Sequence, residues 1–255
     1  MTFDPIPDLE GKRVLITGAS NDTGPHVARA FARHGAKLAL TYHTDRAAGE
    51  RVAEQCTSEG AADARLFQLD LLDMDRCSSF VPEVVDALGG LDVFVAVAGA
   101  GASYTPLVEL PAADLVKAFQ GQVAGNFAIA RDAGLAMPEA GGRIVLISAT
   151  SCYKYSHAGY GFAKATLNEL TRFLALELAD RGVTVNTLVP QLIDLDSISA
   201  EMRGRRREFT PLGNIPHPAQ IAQMCLVLCS PLFDIVTGEL IYMDGGYRLR
   251  PLEDR

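Results

Sequence analysis

Two residues of the stretch "YGFAK", Tyr160 and Lys164, have the types and spacing that proton transfer needs. They stand four residues apart at the start of a helical run, so both side chains share one helix face. An ammonium beside a phenol favours phenolate and would lower the tyrosine pKa from about 10. A tyrosine tuned in this way can give or take a proton near neutral pH. The pair also suits a solvated helix face, so its meaning depends on what surrounds it.

A second stretch, "TGASNDTG" at residues 17–24, lies between the apolar "RVLI" and the amphipathic "PHVARAFARHGAKLAL". Strand, glycine-rich turn and helix in that order make a phosphate cradle, because backbone N–H groups and the positive end of the helix face the anion. Asp22 is the awkward member. Two unit charges roughly 4 Å apart at a surface-like dielectric interact by about 4 kcal/mol. Gly18 and Gly24 still allow a tight turn and a close helix approach. Aspartate is also a good helix N-cap. Asp22 is therefore expected to turn toward the helix backbone, while Ser20, Asn21 and Thr23 border a cofactor.

These residues need elements to position them. The runs "RVLIT", "AKLALTY", "ARLFQLD", "LDVFVAVAG", "GRIVLIS", "VTVNTLVP" and "ELIYMDGG" read as strands. Helix-length segments separate them, including a long one, "PAADLVKAFQGQVAGNFAIARDAGLAM". Short, evenly apolar strands alternating with helices predict an α/β fold: a Rossmann-type, doubly wound parallel sheet with helices on both faces. Pro25 suits a first helical turn, and Gly35 and Gly182 suit left-handed helix ends. No linker or repeat divides the chain, so residues 1–255 are read as one domain. Residues 192–212 are highly charged and weakly periodic. They follow a strand's C-terminal end, where open sheets bind ligands, and are read as a substrate lid.

Apolar residues make up 48% of the chain, enough for a sizeable core. A net charge of −8 argues against a general nucleic-acid binder. No apolar run reaches the roughly 18 residues that would span a bilayer, and the first residues lack an apolar signal core. A cytoplasmic protein with a small-molecule substrate is expected, with neither nucleic acid nor membrane as partner. Cys56, Cys77, Cys152, Cys225 and Cys229 are odd in number and show no CxxC, which suits reduced thiols and no metal site. Cys225 and Cys229, four apart on a helical segment, are read as core packing.

Over nearly its whole length the chain resembles the short-chain dehydrogenase/reductase family. "TGASNDTG" resembles the TGxxxGxG turn, "AVAG" stands in the place of NNAG, and "YGFAK" matches YxxxK. "VTVNTLVPQLID", "PLGNIPHPAQIA" and "TGELIYMDGGY" match the family's C-terminal half. The resemblance implies that Tyr160 donates the proton to a carbonyl and that Lys164 holds the nicotinamide ribose. It implies that Gly18 and Gly24 shape the pyrophosphate turn. Asp70 and Leu71 would border adenine, and Ala98 and Gly99 would line the cofactor's path. Ile193, following Pro190, would meet the carboxamide through its backbone. A homotetramer or homodimer is implied in the same way.

Four positions depart from the family pattern: Asp22 in the turn, Ala96 and Val97 for two asparagines, Gln122 for the helix asparagine, and Ala149 for the catalytic serine. Gln122 keeps an amide able to donate and accept. Ala149 removes a hydroxyl, and Ser148, Thr150, Ser151 or nothing replaces it. Ser148 would point away if strand alternation continued through Ala149. A slip or bulge at the strand end would bring it back.

The second strand ends in Tyr42 and His43, with Arg46 beyond, and no acid stands there to repel a 2′-phosphate. NADP(H) is therefore expected over NAD(H). Arg203, Arg205, Arg206 and Arg207 suit either a solvated face or a docking patch for an anionic carrier. Tyr153, Tyr155 and His157 suit an aromatic pocket or a cover for the sheet edge. The expected function is NADPH-dependent reduction of a ketone, with polyketide- and fatty-acyl-like ketones as candidates. The alternatives are a non-redox catalyst on the same fold (dehydratase, isomerase or cyclase) and an inactive binding subunit. An enoyl-reductase spacing would need a tyrosine where His157 stands.

Overall fold

The computed structural model describes residues 8–139, 141–153 and 158–250. Tyr155 and His157 lie outside the described residues. Seven parallel strands form one sheet in the order β3-β2-β1-β4-β5-β6-β7. They are β1 Arg13–Thr17, β2 Lys37–Tyr42, β3 Asp63–Gln68, β4 Val93–Ala96, β5 Gly142–Ile147, β6 Val183–Pro190 and β7 Leu240–Met243. The chain winds outward from β1 to β3, crosses back to β4 and continues to β7. The strand order thus reverses between β1 and β4, where Thr17 pairs with Ala96. Loops diverge above that point and leave a crevice, the usual ligand position in such sheets.

Side-chain alternation sorts the core into two layers. Val14, Ile16, Leu38, Leu40, Val93, Val95 and Val145 pack with α1 (Gly24–Ala32), α2 (Arg46–Ser58) and α8 (Pro218–Leu228). Leu15, Ala39, Phe94, Ala96, Ile144 and Leu146 pack on the other face with α3 (Met74–Leu88), α5 (Gly125–Ala136) and α6 (Ala158–Leu178). Cys225 and Cys229 belong to the first layer, and burial pushes the Cys229 thiol up to about 12. Gly35 and Gly182 take left-handed backbone at φ 73° and 68°, and Pro25 sits in the first turn of α1.

Two elements differ from the sequence expectation. The fourth strand stops at Ala96, and "VAG" after it is an extended loop. The long helical segment is α4 (Ala112–Phe119) and α5 joined by a π-helical turn, Gln120–Ala124. Gly121 in that turn and Gly125 at the start of α5 let the segment pack closely on the loops after β4 and β3. A Cβ on Gly121 would sit 2.6 Å from the Ala100 carbonyl oxygen, and one on Gly125 would sit 2.6 Å from that of Leu71. Extra π-helical residues are frequent at functional sites, and this one carries Gln122.

Candidate active site

A cleft of about 390 Å³ opens at the switch point. Its floor is the turn after β1. Gly18 has φ 70°, and a Cβ there would meet the Ala98 backbone at 2.9 Å. A Cβ on Gly24 would lie 2.0 Å from the Gly18 carbonyl oxygen. The Gly18 N–H donates to the buried Thr41 hydroxyl at 3.0 Å, which fixes the turn against β2. Ser20, Asn21 and Thr23 line the cleft.

Asp22 does not do what the sequence suggested. Thr23 occupies the N-cap position of α1 without a side-chain cap bond. Asp22 has φ 51°, the only positive φ of a non-glycine among the described residues. Aspartate is one of the few residues that tolerate this left-handed conformation. It therefore holds the turn that a glycine would hold, and its exposed side chain lines the cleft instead of the helix end.

Tyr42, His43, Asp70 and Leu71 line one end. His43 Nε2 lies 3.4 Å from Asp70 Oδ2, and the other Asp70 oxygen accepts the Leu72 N–H at 2.9 Å. Arg46 does not line the cleft. It donates to Glu50 at 2.8 Å along the exposed face of α2.

Tyr160 and Lys164 line the other end, on the first turns of α6. Lys164 is buried and donates from Nζ to the Ile147 carbonyl at 2.8 Å. Its Nζ lies 5.7 Å from the Tyr160 ring centre. The expected mutual tuning is absent. Burial, with Tyr104 and Cys152 as neighbours, raises the Tyr160 phenol above its ordinary value. Burial lowers Lys164 to about 8. A dry pocket disfavours phenolate and ammonium alike, so burial keeps the Tyr160 phenol protonated.

This makes a stability prediction. Lys164 moves from 10.5 unfolded to about 8 folded, so between those values the unfolded chain binds more protons. Stability from this group therefore rises with pH across that window, while below it the buried ammonium is a penalty. The unfolding free energy of the wild type minus that of Lys164→Met should rise by about 3 kcal/mol over the window in urea titrations. A difference independent of pH would contradict the burial account.

Ser148 follows the last residue of β5, so strand alternation no longer governs it. It is buried, lines the cleft, and its hydroxyl donates to the Lys164 carbonyl at 3.3 Å. Ala149 does not line the cleft. Thr150 and Ser151 turn away in a short 3-10 turn and do not line it either. Gln122 is buried and donates to the Ala100 carbonyl at 3.0 Å, while its Oε1 has no partner among the described residues. A Cβ on Gly99 would lie 2.4 Å from that oxygen. Ala98, Gly99 and Ile193 line the cleft, whereas Gly24 and Pro190 do not.

Two residues escaped the sequence reading. Asn126 is buried one turn beyond Gln122 and donates to the Gln122 carbonyl at 3.1 Å and to that of Ala98 at 3.3 Å. It ties the π-helical turn to the cofactor-side loop. An amide amid small apolar helix residues was its available signal. Tyr104 lines the cleft from a glycine-rich loop, where periodicity gives no guidance.

The arginine patch is largely spent internally. Arg203 and Arg207, both on α7 (Ala200–Glu208), pair with Asp194, the latter at 3.0 Å. Arg206 stacks 4.3 Å over the Tyr247 ring, and Arg205 is exposed. Tyr153 is not in the cleft. Its hydroxyl meets that of Tyr242 on β7 at 2.5 Å, so it covers the sheet edge. No helix among the described residues is long and apolar enough to cross a membrane.

Residues 18–248 match a family model described as enoyl-(acyl carrier protein) reductase. Versicolorin reductase 1 of Aspergillus parasiticus is 32% identical over 256 residues, covering 93% of this chain and 97% of that protein. A 3-oxoacyl-(acyl-carrier-protein) reductase of Aquifex aeolicus is 29% identical, covering 93% and 98%. A short-chain dehydrogenase/reductase from Serratia marcescens superposes with a TM-score of 0.89 at 26% identity, covering 94% of this chain and 99% of that one. The chain belongs to the short-chain dehydrogenase/reductase family and is an oxidoreductase that depends on NAD(P).

Proposed function

We propose that this protein is an NADPH-dependent ketoreductase in which Tyr160 protonates the carbonyl oxygen. One observation carries the reading: Tyr160, Lys164 and Ser148 converge at one end of a single cleft whose floor is the Gly18–Thr23 turn. The fit to a dinucleotide rests on that turn, which the missing Cβ atoms of Gly18 and Gly24 let pack tightly against the Ala98 backbone and the start of α1. When bound, the nicotinamide supplies the hydride. Lys164 binds the ribose, Ser148 orients the carbonyl oxygen, and Gln122 and Asn126 hold the loop at Ala98 and Gly99. Residues 192–212 close over the substrate as a lid. The likeness to a 3-oxoacyl-(acyl-carrier-protein) reductase supports an acyl-derived ketone, with a polyketide-like ketone as the other candidate.

The preference for NADPH follows from the other end. His43 lines the cleft, and no acid ends β2. Tighter binding of NADPH than NADH in a fluorescence titration is the expected result, and the reverse order would overturn the preference. Exposed apolar side chains on α6, Phe162, Phe173 and Leu176, support self-association as a homodimer or homotetramer. The cytoplasm is the proposed location.

Asp22 should weaken cofactor binding through its charge. Asp22→Asn removes that charge and should tighten NADPH binding by up to about tenfold at low salt, an effect that salt would erode. Asp22→Gly should tighten it at least as much, because glycine takes φ 51° freely. Unchanged affinity in both variants would mean that Asp22 does not face the pyrophosphate.

A further inference from the structure

The residue that shapes the substrate end is Tyr104. Its ring centre lies 5.5 Å from that of Tyr160, with the planes at 46°. Tyr104 is 62% exposed, and it is the only large exposed apolar side chain among the described residues that also lines the cleft. The exposure is built in. Gly101 has φ 67°, and a Cβ there would lie 2.4 Å from the Lys117 carbonyl oxygen, so the loop can pass only as glycine. The Ser103 carbonyl accepts the Tyr160 N–H at 3.1 Å, which locks the residue before Tyr104 to the start of α6. Ala100 and Ala102, on the same loop, add little bulk to the cleft.

We propose that Tyr104 is a specificity-determining residue, extending the Tyr160 ring into an aromatic wall that selects a flat, fused-ring ketone over a flexible acyl chain. This rests on the ketoreductase reading above. An exposed ring held beside the proton donor gains when a second ring covers it, since aromatic pairs add stabilisation beyond their buried area. An acyl chain offers no such pair. A carrier-borne acyl chain would also want cations at the mouth. Arg203 and Arg207 are paired with Asp194, and Lys164 and His43 are the only basic side chains lining the cleft among the described residues.

The test compares α-tetralone with an unbranched octanone, each reduced with NADPH by the wild type, Tyr104→Ala and Tyr104→Phe. Tyr104→Ala should lower kcat/KM for the tetralone relative to the octanone by about 3- to 10-fold, through KM. Tyr104→Phe should keep the wild-type ratio, because the wall is the ring and not the hydroxyl. An unchanged ratio in Tyr104→Ala, or an equal loss in Tyr104→Phe, would overturn the stacking role while leaving the reductase reading intact. Failure of the wild type to reduce either ketone would overturn both. The exposed position keeps loss of the fold from obscuring the result.

Discussion

Tyr160→Phe should lower NADPH-dependent ketone reduction by about 10²- to 10⁴-fold, the range that a positioned general acid contributes. The change removes one oxygen and keeps the ring. The contacts to Tyr104 and Lys164 are ring contacts and should survive. Cofactor affinity and thermal stability should therefore stay near wild type while kcat falls. The direction of the Tyr160 shift sharpens this expectation. Burial raises the phenol, so it remains protonated at neutral pH and is suited to give a proton. Near-full reductase activity in the phenylalanine variant would remove Tyr160 from the chemistry.

Ser148→Ala should cost about 10²- to 10³-fold in kcat, as loss of one donor to a developing oxyanion does. The existing bond to the Lys164 carbonyl is long, at 3.3 Å, so the hydroxyl can turn to a substrate oxygen at small cost. If that bond were the whole role, the variant would lose about 1 kcal/mol of stability and keep its rate. Steady-state kinetics together with thermal melts separate the two. Thr150→Val and Ser151→Ala should leave the rate within about twofold, because neither side chain lines the cleft. A large loss in either, with Ser148→Ala unaffected, would move the second hydroxyl to the 3-10 turn.

The sheet was legible because its strands are short, apolar and separated by helices, and alternation sorts their side chains between two faces. The Tyr160–Lys164 pair was legible from helical spacing together with the strand, the glycine-rich turn and the family motifs around it. Other features depend on quantities that residue types do not carry. Asp22 was misread because its role depends on φ: a left-handed turn residue and an N-cap are equally good uses of aspartate. Ser148 depends on where β5 ends, and one residue decides which side chain enters the cleft. The tyrosine's acidity was misjudged because spacing shows the neighbouring ammonium but not how dry the pair is. Arg203 and Arg207 suited either a solvated face or a docking patch, and residue types could not show that Asp194, nine and thirteen positions earlier, pairs with both. Tyr104 and Asn126 act across loops and a π-helical turn, where no periodicity marks them.

Redox chemistry is assigned to the end of the cleft where Tyr160 and Lys164 lie, in a chain that lacks the usual serine at Ala149. Its most direct test measures NADPH oxidised against alcohol formed from a ketone in the same reaction. Hydride transfer predicts one equivalent of alcohol for each equivalent of NADPH, with both signals lost together in Tyr160→Phe. Substrate turnover with no NADPH consumed would contradict it and favour a dehydration, isomerisation or cyclisation run by the same residues.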